Sequence, residues 1–282
     1  MEEVLGCSKM AEFSGHLSLR AAVRDAGRTV LAAQSFRAPF HLSKPYWDEE
    51  AKVLIVQVVN PTAGILAGDR LESAIAVEAG AALLVTTPSA SRIYKMEDGG
   101  SAESRQHFRV EAGGWLEVAP EPLVPHRGSR FRQMTTVDVA PGGALFFVDQ
   151  LQPGRVGHDE AWLWDRLCLE LTVRLGGELV LRERLDQAGA DLRALAELAG
   201  SGPKACLANA ILISTGTDEP WRAELSQLHR DGLWLGVSAL RRGGWSLRLV
   251  APDSVKLRAG LKDVRRILAR HYPRLAGDTR KL

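Results

Sequence analysis

Oxygen-bearing side chains recur at the points where apolar stretches of the chain end. They are Thr86, Thr87 and Ser89 after one stretch, Glu117 and Glu121 with a second, Asp149 with a third, and Asp69 after the run "VLIVQVV". Oxygen ligands without His or Cys hold a divalent transition ion weakly and release it easily. If the stretches stack, these groups fall along one edge and suit the passage of an ion better than its storage. The alternative is a polar rim of strand ends in water.

The segment "NPTAGILAGDR", residues 60–70, places two glycines after an apolar run, as phosphate-binding loops do. A P-loop requires a lysine and a hydroxyl after its last glycine, whereas Gly68 is followed by Asp69 and Arg70. A carboxylate there would repel a phosphate. The dinucleotide fingerprint also fails, because no third glycine follows and "LESAIAVEAG" has the pattern of a strand. The segment predicts a tight turn at Gly64 and Gly68 that presents Asp69, and no nucleotide site.

The segment "HDE", residues 158–160, is a candidate for catalysis, since His158 and Glu160 would share one face of a strand. The zinc deaminase pattern needs a later P-C-x-x-C, which the sequence lacks, and neither G-x-S-x-G nor H-E-x-x-H occurs in it. One enzymatic alternative stays open. It is a metal- or carboxylate-dependent hydrolase on a β scaffold that uses paired carboxylates between Asp149 and Glu160.

Charge and cysteine content narrow the function classes further. The net charge of +2 gives no indication of nucleic-acid binding, but twelve Lys/Arg stand against three Asp/Glu between Arg241 and Leu282. This basic end predicts either docking against an acidic partner or a solvated helix. Widely spaced Cys7, Cys168 and Cys206 indicate neither a disulfide framework nor a zinc site. Without a signal sequence or an apolar run of membrane-spanning length, a cytoplasmic location is expected.

Four segments share the pattern V-x-x-G-[GA]-x-L-x-apolar. They are "VEAGAALLV" from Val77, "VEAGGWLEV" from Val110, "VAPGGALFF" from Val139 and "VRLGGELVL" from Val173, with a looser fifth copy, "LRRGGWSLRL", from Leu240. The glycines supply the positive φ angles of a tight turn, and apolar residues flank it at alternate positions. The repeats predict a mainly β fold of stacked antiparallel hairpins, either a wound β-superhelix or sandwich-like, with a small helical part towards the C-terminus. An ordinary β sandwich is the alternative.

Periodicity locates the elements that must position these residues. A strand is predicted where apolar residues alternate from Leu167 to Leu175. Helical composition appears at 185–200, 220–230 and 253–272, and the last has Asp253 or Ser254 as its N-terminal cap. No linker interrupts the chain, so we expect one domain, residues 14–275, with a flexible N-terminus, residues 1–13, and a C-terminal tail, residues 276–282.

Five segments in register resemble the UreD family of urease accessory proteins, called UreH in some organisms, over roughly residues 14–250. They are "NPTAGILAGDRL", "LLVTTPSASRIYK", "LEVAPEPLVPHRGSRF", "LQPGRVGHDEAW" and "LVLRERL". The chain departs from the family pattern where Thr62, Ala63 and Ala67 replace glycines, and where Asp159 stands at a usual glycine.

The resemblance implies a non-enzymatic role in urease maturation. Members of the family are β-rich, bind the accessory protein UreF, which recruits the GTPase UreG, and sit on urease apoprotein to bring nickel to its active site. The resemblance therefore implies UreF, UreG and the urease structural subunits as partners, and neither nucleic acid nor membrane. No cofactor is expected to be stably bound, and nickel is expected only in transit.

The family's internal ion path gives the candidate site residues their expected roles. Oxygen ligands of the path are expected from Asp69, Glu117, Glu121 and Glu160, with Thr86, Thr87 and Ser91 lining it. Structural roles at the motifs are expected for Gly64, Gly68, Tyr94 and Arg155. A surface for an acidic partner is expected at Arg265, Arg266 and Arg270.

Overall fold

Strands dominate the computed structural model, which describes residues 14–278 except 25–26, 63, 199–201 and 215–218. The predicted flexible N-terminus, Cys7, Ala63 and residues 279–282 of the predicted tail lie outside the described residues. The first ten strands are β1 Ser14–Val23, β2 Thr29–Arg37, β3 His41–Leu42, β4 Tyr46–Asp48, β5 Val53–Val59, β6 Arg70–Val77, β7 Ala82–Thr86, β8 Ser91–Ile93, β9 Ala102–Val110 and β10 Trp115–Ala119.

The second half of the chain adds further strands and three α-helices. The strands are β11 Leu123–Pro125, β12 Arg130–Val139, β13 Ala144–Leu151, β14 Gly154–Arg155, β15 Glu160–Ala161, β16 Arg166–Leu175, β17 Glu178–Gln187, β18 Cys206–Ile213, β19 Trp234–Ala239 and β20 Trp245–Ala251. The helices are α1 Gly189–Leu198, α2 Trp221–Ser226 and α3 Ser254–Ala269, with short 3-10 turns at Val156–His158 and Pro273–Ala276. The mainly β fold with a small helical part is thereby confirmed.

Two large sheets stack face to face. One has the order β17-β16-β12-β9-β6-β1-β2, and the other runs β19-β20-β18-β13-β10-β7-β5-β3 with β4, β8 and β11 attached. Strands β6, β9, β12 and β16 pair in parallel in the first sheet, and β5, β7, β10 and β13 pair in parallel in the second. The chain therefore winds from one sheet to the other and back, as in a β-solenoid.

The glycine turns of the first three repeats connect the two sheets, and this corrects the prediction of antiparallel hairpins there. The first glycine of each of the first four copies has φ between +60° and +81°, as the turn requires. Successive turns stack on one another, because the Gly113 N–H donates to the Gly142 carbonyl at 2.9 Å. Only the fourth and fifth copies form antiparallel hairpins, β16–β17 and β19–β20.

The difference between the copies follows from burial. The strands after the first three turns, "ALLVT", "WLEVA" and the start of "ALFFVDQL", are buried on both faces, which is the usual environment of parallel strands. By contrast, "ELVLRERLDQ" after the fourth turn alternates and is partly exposed, as suits an antiparallel edge strand. The turn chemistry alone does not distinguish the two outcomes.

Apolar side chains form three clusters around this frame. One fills the space between the two sheets, and it includes Val77, Phe108 and Phe147. A second lies between the outer face of the larger sheet and helices α2 and α3. A third closes one end of the stack against α1. None of the described helices has the length and apolar character needed to cross a membrane.

Helix α3 confirms the prediction for residues 253–272 at its N-terminus. The Asp253 carboxylate accepts a hydrogen bond from the Lys256 N–H at 2.8 Å, so Asp253 is the cap. Leu257, Val264 and Leu268 are buried on the face that meets the larger sheet. This anchoring places the basic side chains of α3 close to the ends of the solenoid strands.

Candidate functional site: a polar cavity between the sheets

Polar side chains interrupt the apolar interior between the two sheets. In the smaller sheet, Ser73, Gln106 and Thr135 lie at one register level across β6, β9 and β12. The next level carries Ser104 and Gln133. All five belong to the inward-facing set that elsewhere carries apolar residues, and the Thr135 hydroxyl donates to Gln106 Oε1 at 3.1 Å. They form a polar band across three coils of the solenoid.

This band borders a cavity of about 220 Å³. The opposite wall comes from the ends of the parallel strands of the larger sheet and includes Thr86, Thr87, Ser91, Glu121, Asp149 and Gln150. Apolar side chains line the same cavity, among them Ile75 and Phe108 on one side of the polar band and Phe131 on the other, while Leu71 lies at the level of Ser104 and Gln133. The side chains that line the cavity thus form a polar layer with apolar side chains on either side of it.

Asp149 brings a carboxylate to the cavity wall from β13. Removal from bulk solvent, with a smaller contribution from the negative charge of Glu183, raises its pKa to about 7. Glu183 extends from β17 and forms an ion pair with Arg248 of β20. A cation in the cavity would find Asp149 partly protonated near neutral pH.

The predicted hydroxyl residues bind backbone groups at the strand ends. Thr86 Oγ1 donates to the Ala119 carbonyl at 2.8 Å, and Thr87 Oγ1 accepts from the Glu121 N–H at 2.9 Å. The Glu121 carboxylate pairs with Arg258 of α3 at 2.9 Å. These contacts hold the ends of β7 and β10 together where the cavity wall is formed.

Gly64, Gly68 and Asp69 form the turn that closes the loop before β6. Gly68 has φ +87°, which favours glycine. A Cβ atom on Gly64 would lie 2.6 Å from Cε2 of Tyr94 and 2.7 Å from the Arg92 carbonyl oxygen, so the two segments can approach only without a side chain. Asp69 Oδ2 accepts from the Leu66 N–H at 2.8 Å, and the residue is 2% exposed. Asp69 is therefore a buried turn residue that does not line the cavity.

Glu117 lies on the opposite face of the larger sheet, under α3. Both of its oxygens accept hydrogen bonds from Arg265, at 2.7 and 3.1 Å, and the side chain is fully buried. Burial raises the pKa of Glu117, and the charge and hydrogen bonds of Arg265 partly offset this effect. The same guanidinium donates to the Gly277 carbonyl at 2.6 Å. Glu117 thus attaches the helical layer to the sheet.

Glu160 lies in the small β14–β15 hairpin, where Arg155 donates to both of its oxygens at 2.7 and 2.8 Å. These hydrogen bonds hold the pKa of Glu160 below its usual value. The preceding residue, Asp159, has φ +56°, so it keeps the left-handed conformation that the family pattern gives to glycine. Arg155 and Tyr94 line a separate cleft, beside the cavity.

The structure brings together part of the predicted set. Cavity-lining positions are occupied by Gly64, Thr86, Thr87, Ser91 and Glu121. Asp69, Glu117 and Glu160 lie elsewhere, so the four carboxylates do not follow one edge. Within the described part of the chain, no three His, Cys, Asp or Glu side chains converge as a metal site would require.

The structure also bears on the hydrolase alternative and on the expected basic surface of α3. Asp149 lines the cavity whereas Glu160 is bound by Arg155 outside it, so the carboxylates of the hydrolase alternative do not share one cavity. In α3, Arg265 forms an ion pair with the buried Glu117. Arg266 and Arg270 are exposed and pair with Asp263 and Glu224.

The sequence analysis missed the inward-facing polar residues of β9 and β12, although their alternation with charged outward-facing residues was a usable signal.

Comparisons with known proteins identify the family. The model of the UreD urease accessory protein family matches residues 14–280. Urease accessory protein UreD of Opitutus terrae is 63% identical over 272 residues, which cover 96% of this chain and 100% of that protein. UreD of Yersinia enterocolitica is 42% identical over 156 residues, 54% of this chain and 47% of that protein. The chain belongs to the UreD family of urease accessory proteins, as the motifs predicted, and it has a role in urease maturation.

Proposed function

We propose that this chain is a non-catalytic scaffold that binds urease apoprotein together with UreF and UreG, and that nickel passes through the cavity between its two sheets. The observation that carries the proposal is the polar band of Ser73, Ser104, Gln106 and Gln133 inside an otherwise apolar solenoid. Burying polar side chains costs free energy unless they are fully hydrogen-bonded. Apolar residues at these levels would stabilise the fold more, so the band is better explained by passage of a polar cargo.

The chemistry of the cavity wall suits transit. Its oxygen-bearing groups are hydroxyls, amides and carboxyls, beside the guanidinium of Arg92, and it has no His or Cys among its described lining residues. Such ligands exchange nickel readily, whereas thiolate and imidazole ligands would retain it. Asp149, which is partly protonated near neutral pH, and Glu121, which pairs with Arg258, bring carboxyl groups to two points of the wall. Asp69, Glu117 and Glu160 then act in the proposal as structural carboxylates beside the route, and their predicted role as direct ligands is left to experiment.

Binding of an acidic partner by α3 is a second part of the assembly role. Arg266 and Arg270 are exposed and lie on one side of the helix layer. Reversal of Arg265 would not test such a surface, because it would set a carboxylate against buried Glu117. The pair Arg266→Glu and Arg270→Glu is the appropriate variant.

The test is complementation of a urease operon from which the UreD gene has been removed. Cells that express this chain should regain urease activity and nickel in purified urease, and the chain should co-purify with UreF, UreG and urease subunits. The purified chain alone should hydrolyse no glycoside or ester. Urease that stays nickel-free despite normal expression of the chain would refute the proposal.

A further inference from the structure

A second cavity, distinct from the one between the sheets, opens beside the β14–β15 hairpin. This cleft has a volume of about 620 Å³. Its walls come from five parts of the fold: β8 and the residue after Ile93, β11 and the residue after Pro125, the connection from β13 into the 3-10 turn, the start of β18, and the N-terminus of α3. We propose that this cleft binds a carboxylate-bearing, acidic segment of a protein partner.

The cleft is lined by more positively charged than negatively charged side chains. Arg92 and Lys204 line it, are exposed, and form no ion pair with any residue that the structure describes. Arg155 also lines the cleft, and its guanidinium is bound to both oxygens of Glu160. The acidic lining residue, Asp253, already accepts the Lys256 N–H as the cap of α3. The cleft therefore has an excess of cationic groups over available carboxylates.

A buried imidazole supports the same conclusion. His126 is 5% exposed and lines the cleft, and its Nε2 has no hydrogen-bond partner among the described residues. Burial, followed by the charge of Arg155, lowers the pKa of His126, so the ring is neutral at physiological pH and carries one N–H. A buried polar atom without a hydrogen-bond partner is unfavourable for the folded state. In the tautomer that carries its proton on Nε2, this nitrogen donates, and a carboxylate oxygen in the cleft is a suitable acceptor for it.

The N-terminus of helix α3 also favours the binding of an anion in the cleft. The sixteen residues of α3 begin at the cleft, where Asp253 and Ser254 line the wall. The positive end of the helix dipole stabilises a nearby anion. Arg92, Lys204, His126 and this helix end belong to four different parts of the fold and line the same cleft.

The size and lining of the cleft favour a polypeptide over a single free anion. Apolar surface from Val124, Pro153 and Val156 alternates with the cationic groups, and the volume exceeds that of one carboxylate. The choice of a protein partner rests on the proposed assembly role. Arg92 also lines the cavity between the sheets, so an acidic segment that pairs with it would act directly beside that cavity.

The test measures binding of a fluorescein-labelled hexaglutamate peptide to the purified chain by anisotropy at low salt. Wild type should bind this peptide and should not bind hexaglutamine. The double variant Arg92→Glu and Lys204→Glu should weaken binding at least tenfold. The matched control reverses two exposed arginines on the outer face of the smaller sheet, Arg109→Glu and Arg182→Glu, and should bind within twofold of wild type.

Three outcomes would overturn the proposal. They are no binding by wild type, equal weakening by the control pair, and binding of inorganic phosphate as tight as that of the peptide, which would indicate a small-anion site. If the charge reversal unfolds the chain, Arg92→Ala with Lys204→Ala replaces it, with the same tenfold expectation. Peptide binding with failed nickel loading would refute transit through the cavity while leaving the cleft proposal standing.

Discussion

Glu117 in β10 and Arg265 in α3 form a bidentate ion pair across 148 residues of sequence, with N···O distances of 2.7 and 3.1 Å. Glu117 is fully buried, and Arg265 also binds the Gly277 carbonyl. The pair connects the helical layer to the solenoid at the back of the cavity wall. In this position the two residues are bound to each other, and Glu117 lies outside the cavity lining.

Removing one member of this pair should destabilise the chain strongly. Arg265→Met leaves a buried carboxylate without its partner, and we expect a loss of about 3–5 kcal/mol in the free energy of unfolding. The double variant Glu117→Met and Arg265→Met should recover most of that loss, because no uncompensated charge remains. Urea denaturation of the wild type and the variants measures both effects. A double variant no more stable than Arg265→Met would contradict the account.

Asp149 should make stability depend on pH. Its pKa is about 7 in the folded chain and has its ordinary value of 3.8 when unfolded. Between these values the folded state holds a proton that the unfolded state releases, so the contribution of Asp149 falls as pH rises from about 4 to 7. Asp149→Asn should remove this slope and stabilise the chain at pH 8 by up to about 4 kcal/mol.

The measurement for Asp149 is urea denaturation at about pH 4.5, 6 and 8, of which the first two lie inside the window of falling stability and the third lies above it. Asp231→Asn, in an exposed turn, is the matched control and should keep the wild-type profile. If the free energy of unfolding depends on pH in the same way for wild type and Asp149→Asn, the folded structure does not raise the pKa of Asp149.

Adding one methyl group at Gly64 should destabilise the chain, because Gly64 lies directly against Tyr94. Gly64→Ala places a Cβ against the Tyr94 ring and the Arg92 carbonyl, and we expect a loss of about 1–3 kcal/mol. Gly236→Ala, in β19, meets no atom within 4 Å and should stabilise the chain by about 0.5–1 kcal/mol. Thermal unfolding compares the two, and equal stability of both variants would contradict the close approach.

Local patterns predicted much of the fold. The alternation in β16 and the cap at Asp253 were visible in the sequence because each depends on neighbouring residues. The parallel pairing was not, since a glycine turn has the same chemistry whether it joins strands of one sheet or of two. The continuous burial of "ALLVT" and "WLEVA" was the signal that would have separated these cases.

The candidate site was predictable only in part for a related reason. Thr86, Thr87, Ser91 and Glu121 follow strand ends, and the stacking of coils brings such ends to one cavity wall. Glu117 lies in the middle of β10, one position away from the inward-facing Leu116 and Val118, so it points to the other face. Its partner lies on a distant helix, and the sequence carries no local signal of that contact.

The most direct test of the central claim compares two neighbouring residues of β6 that face opposite sides of the sheet. Ser73→Trp places an indole in the cavity, whereas Ala74→Trp places the same group on the exposed outer face. Nickel content of urease is measured after co-expression with the other accessory proteins, together with co-purification of each variant. We predict that Ser73→Trp still assembles but lowers the nickel content several-fold, and that Ala74→Trp loads nickel as the wild type does. Wild-type nickel content with an assembled Ser73→Trp variant would contradict passage through the cavity.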